Sequence, residues 1–218
     1  MKNRIFFKGF ISCFMLCSLI MSSIIGLAIN SNAASGDDYS SPDFYYVGSE
    51  ESLKEAIKKS KDGDSINFTE NITCKGDLEI SGSIEINLNH HSLNFVEAKN
   101  GMVVLENKDV ELSFGKIYGA EDSNSAINVR SGRVNLSYMT IFGGNCKNHY
   151  WLNYGNAIYC SSKISVVDVY FSTVIGGNGY SKGIFNPSRT CKAIYGGVKT
   201  IGRYGKEIDG IYRQDMIN

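Results

Sequence analysis

Three stretches of the chain read almost alike: VELSFGKIYGAE at residues 110–121, VNLSYMTIFGGN at 134–145 and VDVYFSTVIGGN at 167–178. They align over twelve positions without a gap. Apolar and polar residues alternate within each, the period of a strand with one buried face. A weaker copy begins at Ile86, with Leu88 and Leu93 at the matching places. The starts Ile86, Val110, Val134 and Val167 stand 24, 24 and 33 residues apart. Short apolar segments near Val103–Leu105, Ile127–Val129 and Ile158–Cys160 precede the last three copies, and another lies at Ala193–Tyr195. Self-similarity at a fixed period marks a solenoid, in which one unit is too small to bury its own apolar face.

The strand content selects the kind of solenoid. No unit carries a helical period, and the leucine-rich pattern LxxLxLxxN is absent. Short strands parted by Gly and Asn bends, at ~24 residues per turn, fit a parallel β-helix. The helix ahead of the repeats, the strand GDSINF at 63–68 and rungs of the form AI…V.L…I.GG resemble the right-handed parallel β-helix (pectin-lyase-like) superfamily. The phrases SAINVRSGRVNLSYMTIFGGN (125–145) and GNAIYCSSKISVVDVYFSTVIGGNG (155–179) also resemble β-helix repeats of bacterial surface and adhesin-like proteins. The resemblance spans residues 47–200. It implies an all-β, short right-handed parallel β-helix with an N-terminal capping α-helix. It specifies architecture more than chemistry, because such folds host lyases, hydrolases, adhesins and phage spikes alike.

The helix is expected over residues 50–62. Ser49 or Ser52 can cap it, and Ser52 with Glu55 fits a capping box. Leu53, Ala56 and Ile57 form an apolar stripe, Glu50–Lys54 and Glu55–Lys59 are favourable i,i+4 pairs, and Gly63 suits the left-handed residue that ends a helix. Such a helix covers the open first rung, whose unpaired edge is otherwise a template for aggregation.

Of the 218 residues, 43% are hydrophobic and two are proline, which excludes wholesale disorder. The 22 Lys and Arg balance 22 Asp and Glu, which argues against a dedicated nucleic-acid binder. Lys2, Arg4 and Lys8 precede an apolar stretch from Phe10 to Ile29, and Ser31 and Ala33 follow at the −3 and −1 places of a cleavage site. That order predicts a signal peptide over 1–33, a linker over 34–46 and the β-helix over 47–218. The other reading is a retained membrane anchor, since the apolar stretch approaches the ~20 residues that span a bilayer. Leu16 ahead of Cys17 does not suit lipid attachment. The expectation is a secreted or cell-surface protein, with no membrane contact after cleavage. The exported part keeps Cys74, Cys146, Cys160 and Cys191, which can pair in three ways. Without a CxxC pair, no zinc or other cofactor is expected.

The register predicts columns. Val110, Leu112 and Phe114, with their equivalents Val134, Leu136, Tyr138 and Val167, Val169, Phe171, are expected to point inward. The aromatic residues would then form a stack inside the coil at the ~4.8 Å strand spacing, with His90 at its end. Gly119, Gly143 and Gly176 share one bend position, where a left-handed or crowded backbone is expected.

Two enlarged loops, 145–156 and 178–192, are expected to leave the same edge on successive rungs. Loops displayed on a rigid scaffold are where binding concentrates. The first holds His149, Tyr150, Trp151 and Tyr154, and the second Tyr180, Lys182, Phe185 and Arg189. Tyr150, Trp151, Tyr154, Tyr180, Lys182 and Arg189 are the candidate ligand-binding residues. Their partner would be an extracellular glycan or a surface protein, unless the aromatics fold inward and seal the coil. Cys146 and Cys191, near opposite ends of these loops, are a candidate disulfide that requires Cα atoms within ~7 Å. Cys160, matched with Leu105 and Val129, reads as a buried thiol. The enzymatic alternative is a polysaccharide lyase or glycoside hydrolase. Asn87, Glu111, Asn135 and Asp168 fall on one outward column, and Glu111 and Asp168 two rungs apart would be ~9–10 Å from each other, near the upper limit for an inverting pair. His149 is a further candidate base. A last rung without a cap could join copies end to end.

Overall fold

The computed structural model describes residues 41–146, 154–162, 164–177, 181, 183–186, 192–196, 199–201 and 212–213. The segments read as signal peptide (1–33) and most of the linker lie outside these residues.

The end of the linker is a strand. Phe44–Val47 (β1) pairs in parallel with Ser65–Phe68 (β2), and between them runs the helix Glu50–Lys59 (α1). Ser49 caps α1 by accepting from the Ser52 backbone N–H, and Ser52 Oγ accepts from the Ser49 N–H at 3.0 Å. The capping box is thus Ser49 with Ser52, not Ser52 with Glu55, because the third helical position is Ser52. Glu50 and Glu51 in the first turn and Lys58 and Lys59 in the last complement the helix dipole. Leu53, Ala56 and Ile57 are buried against the coil, as the stripe predicts. The helix stops at Lys59, earlier than expected, and left-handed Gly63 serves the following turn.

From β2 onward the chain coils. The first turn continues through β3 (Ile72–Lys75) and β4 (Leu78–Ile80). The second holds β5 (Glu85–Asn87), β6 (Ser92–Val96) and β7 (Met102–Val104). In the third and fourth, β8 (Asp109–Tyr118) and β10 (Arg133–Phe142) each run on through a corner, and are followed by β9 (Ser125–Val129) and β11 (Asn156–Cys160). The fifth separates again into β12 (Val166–Tyr170), β13 (Thr173–Ile175) and β14 (Ile184–Asn186), and the sixth into β15 (Lys192–Gly196), β16 (Lys199–Ile201) and β17 (Tyr212–Arg213). Each strand pairs in parallel with its equivalent one turn away, which gives two sheets of 11 and 6 strands among the described residues. The larger sheet bends at the corner into a first face, which runs β1, β2, β5, β8, β10, β12, β15, and a second face through β3 and β6. This is a parallel β-solenoid with an N-terminal capping helix.

The interior is made of columns. Ile66, Ile86, Leu112, Leu136 and Val169 occupy successive registers of the first face and are at most 1% exposed. Ile117, Ile141 and Val174 do the same on the second face. Each such side chain contributes ~1.5–3 kcal/mol by leaving water, and only stacking of neighbouring turns removes that surface. A polar ladder secures one bend: the Asn100 N–H donates to Asp77 Oδ1, Asn124 Nδ2 donates to Asn100 Oδ1 at 3.0 Å, and Asn156 Nδ2 donates to the Asn124 carbonyl.

Two expectations of register are corrected. Ile86 pairs with Leu112, not Val110, so the first half of the weak repeat is displaced by two residues. The second half keeps its expected register, with Leu93 opposite Ile117. The difference is taken up at the corner, where Asn89 and His90 are both left-handed (φ 46° and 68°). Val104, not Leu105, matches Val129 and Cys160.

The aromatic stack exists but stands outside the coil. Phe114, Tyr138 and Phe171 are 40%, 55% and 62% exposed. Their ring centroids are 5.2 and 5.3 Å apart with the ring planes nearly parallel, and His90 meets Phe114 edge-on at 6.0 Å. The reason is the corner. All three aromatics have positive φ (52°, 57° and 47°), so the strict alternation breaks there and the side chain turns outward. A left-handed non-glycine residue costs ~1–2 kcal/mol, and each stacked pair returns ~0.5–1.5 kcal/mol.

The segment 178–192 is not a loop throughout. β14 lies within it and pairs with β11, Ile158 opposite Ile184. Ala193–Tyr195, read as the partner of Ile158–Cys160, instead continues the first face opposite Val167–Val169. Val167 to Ala193 is thus a turn of 26 residues, and the enlarged turn is the one before it, Val134 to Val167. Among the shared bend glycines, Gly119 and Gly143 answer to crowding rather than to a left-handed backbone. A Cβ on Gly143 would lie 1.9 Å from the Gly155 carbonyl oxygen.

Candidate functional site

The outward residues of the first face, with Phe114 at the corner, line a groove of about 430 Å³. Its acidic side is a column one residue from the buried leucines: Glu85 on β5, Glu111 on β8, Asn135 on β10 and Asp168 on β12, each in register with the next. Ser113 and Ser137 form the adjacent column with Tyr170, and Phe114 closes the aromatic side. The alternation of the strands places these groups outward while Leu112 and Leu136 hold the same strands to the core.

Asp168 differs from the other two acids. It is 7% exposed although it lines the groove. Its Oδ2 lies 3.5 Å from Arg133 Nε, and Oδ1 is buried without a hydrogen-bond partner among the described residues. Ser113 Oγ is likewise buried and unpartnered. Buried polar atoms are ordinarily satisfied, so this wall of the groove holds unused hydrogen-bonding capacity. The rings of the aromatic ladder spend their faces on one another and present edges outward. Of the three, Phe114 lines the groove and supplies its apolar edge.

Of the residues singled out from sequence, Glu111 and Asp168 do line one groove, two strands apart. Asn87 does not stand in their column. Glu85 takes that place because of the two-residue displacement. The signal was present in the chain, since Ile84-Glu85-Ile86 repeats Val110-Glu111-Leu112 and Ile84 is buried as Val110 is. Arg133, Ser137 and Tyr170 were also missed as a group, because only strand pairing brings them together. His149, Tyr150, Trp151, Tyr180, Lys182 and Arg189 lie outside the described residues, and Tyr154, within the first enlarged loop, is half-buried. Cys191 lies outside them too, so the pairing with Cys146 is not placed. Burial, with Asp122 nearby, pushes the Cys146 thiol up to about 11, and burial with Glu50 nearby does the same for Cys74. No group of His, Cys, Asp and Glu suited to a metal ion occurs among the described residues.

Compared with protein-family models, curated proteins and solved structures, the chain finds no match in any of the three.

Proposed function

We propose that the protein is an exported or cell-surface β-solenoid that binds an extracellular glycan along the groove of its first face. The observation that supports this is the repetition of hydrogen-bonding groups in register. Glu85, Glu111, Asn135 and Asp168, with Ser113 and Ser137 beside them, offer acceptors and donors at intervals of ~4.8 Å along the coil. A linear polymer of hydroxylated rings lying along the axis meets similar chemistry at each step. The apolar edge of Phe114 would cover its less polar side. Export rests on the order of residues 1–33. Kinship with right-handed pectin-lyase-like helices and adhesin-like surface proteins is the finer form of the same reading. The loop 145–156 with Trp151, and residues 178–192, remain candidate extensions of the binding surface.

A glycan array probed with the purified protein tests this. Binding should fall at least about tenfold in Glu111→Gln combined with Asn135→Ala, with the unfolding midpoint unchanged, since both side chains face the groove and not the core. Trp151→Ala measures the contribution of the first loop. An array without any bound glycan, or binding indifferent to the groove variants, refutes the reading.

A second reading has one observation in its favour: Glu111 and Asp168 share the groove, and Asp168 is held by Arg133. Two carboxylates can divide acid and base roles in glycoside cleavage. Turnover on a polysaccharide panel, abolished by Glu111→Gln or Asp168→Asn, would establish it.

A further inference from the structure

The groove is acidic in a protein that is not. Lys and Arg balance Asp and Glu over the whole chain, yet among the described residues three carboxylates and one guanidinium line this site, an excess of two negative charges. Asp109 adds another acid at the edge, in register with Arg133. The neighbouring cation Lys108 is engaged elsewhere, 3.3 Å from Asp62. A second observation is Asp168, whose side chain is 9% exposed: its Oδ2 stands 3.5 Å from Arg133 Nε, while its Oδ1 is buried at the groove wall with no hydrogen-bond partner among the described residues. A carboxylate oxygen accepts and does not donate, so the complement it lacks is a donor, and a cationic donor makes the strongest such bond.

We infer that the ligand is a glycan bearing free amines, a polymer of amino sugars that are at least partly de-acetylated, and not one bearing carboxylates or sulfates. This deepens the glycan-binding reading and rests on it. Protonated amines would meet Glu85 and Glu111 on neighbouring strands and Asp168 beyond Asn135 along the column, while the hydroxyls are left to Asn135, Ser113 and Ser137. A uronate polymer would bring its charges against the same column and be repelled, since like charges brought together across an interface are destabilising.

The test is calorimetric titration of the purified protein with three probes of equal length at low salt, slightly below neutral pH where sugar amines carry protons. The probes are a glucosamine oligomer, its fully N-acetylated counterpart and an oligogalacturonate. The glucosamine oligomer should bind about tenfold or more tightly than the acetylated one, and the oligogalacturonate should not bind. The preference should shrink as salt rises and disappear in Glu85→Gln/Glu111→Gln, whose fold is checked by circular dichroism. Equal binding of the acetylated and free-amine oligomers overturns the inference and leaves the glycan-binding reading standing. Binding of oligogalacturonate, with or without added calcium, also overturns it. Polylysine binding without any saccharide binding overturns both, and would point to a basic peptide partner.

Discussion

Replacing Tyr138 by glycine should destabilise the protein less than replacing it by alanine, the reverse of the usual order within a strand. Either change removes the ring that sits between Phe114 and Phe171 at 5.2 and 5.3 Å. With two stacked pairs worth ~0.5–1.5 kcal/mol each, the loss is about 1–3 kcal/mol. The ring is more than half exposed, so little apolar burial is lost besides. The variants then differ in the backbone. At φ 57° alanine retains a left-handed cost of ~1–2 kcal/mol, which glycine does not bear. Glycine gives back ~0.5–1 kcal/mol through the entropy of the unfolded chain. The balance leaves the glycine variant about 1 kcal/mol more stable than the alanine variant, with asparagine between them. Equilibrium unfolding in guanidinium, followed by far-ultraviolet circular dichroism, reads the difference directly if the slopes agree. A glycine variant equal to or below the alanine variant would refute the claim that the corner stores left-handed strain offset by the ladder.

Leu136→Ala empties a fully buried place in the central column and should cost ~2–5 kcal/mol in the same assay. Gly144→Ala sets a Cβ 1.7 Å from the Ala120 carbonyl oxygen, a backbone atom of the neighbouring turn, so it should lower the thermal midpoint where an exposed-site alanine would not. The backbone N–H groups of Lys61 and Asp43, at 2.7 and 2.9 Å, hold the Asp64 carboxyl below the usual carboxylate range. Its folded form therefore favours the ionised state. The stability it contributes is present above the unfolded value near ~3.9 and is lost as pH falls through the lowered folded value. Asp64→Asn should flatten the acid limb of the unfolding midpoint below about pH 4, and an unchanged limb would refute the assignment.

Much of this architecture could be read without coordinates. A pattern of period two, recurring every 24 residues, has one economical packing: turn upon turn, with Leu112 over Leu136 and Val110 over Val134. The stripe of Leu53, Ala56 and Ile57 was equally clear, because an amphipathic helix must bury that face. The same linear pattern placed Glu111 and Asp168 on one column, since equivalent positions of stacked repeats necessarily align.

What the linear pattern lacks is the corner. Counting alternate residues from Val110 puts Phe114 inside, and only the left-handed φ at that position turns it out. The ladder follows from that single dihedral, repeated at Tyr138 and Phe171, and so does the place of Phe114 at the groove. The two left-handed residues Asn89 and His90 absorb two extra positions, and so bring Glu85 rather than Asn87 beside Glu111. Strand β14 was hidden because a three-residue strand has too few positions for a period. Repetition along the chain determined which residues stack, since hydrophobic burial rewards equivalence. The turns between strands decided which way the stacks face and which acids meet, because a backbone dihedral at a corner is set by the close packing of neighbouring turns rather than by local composition.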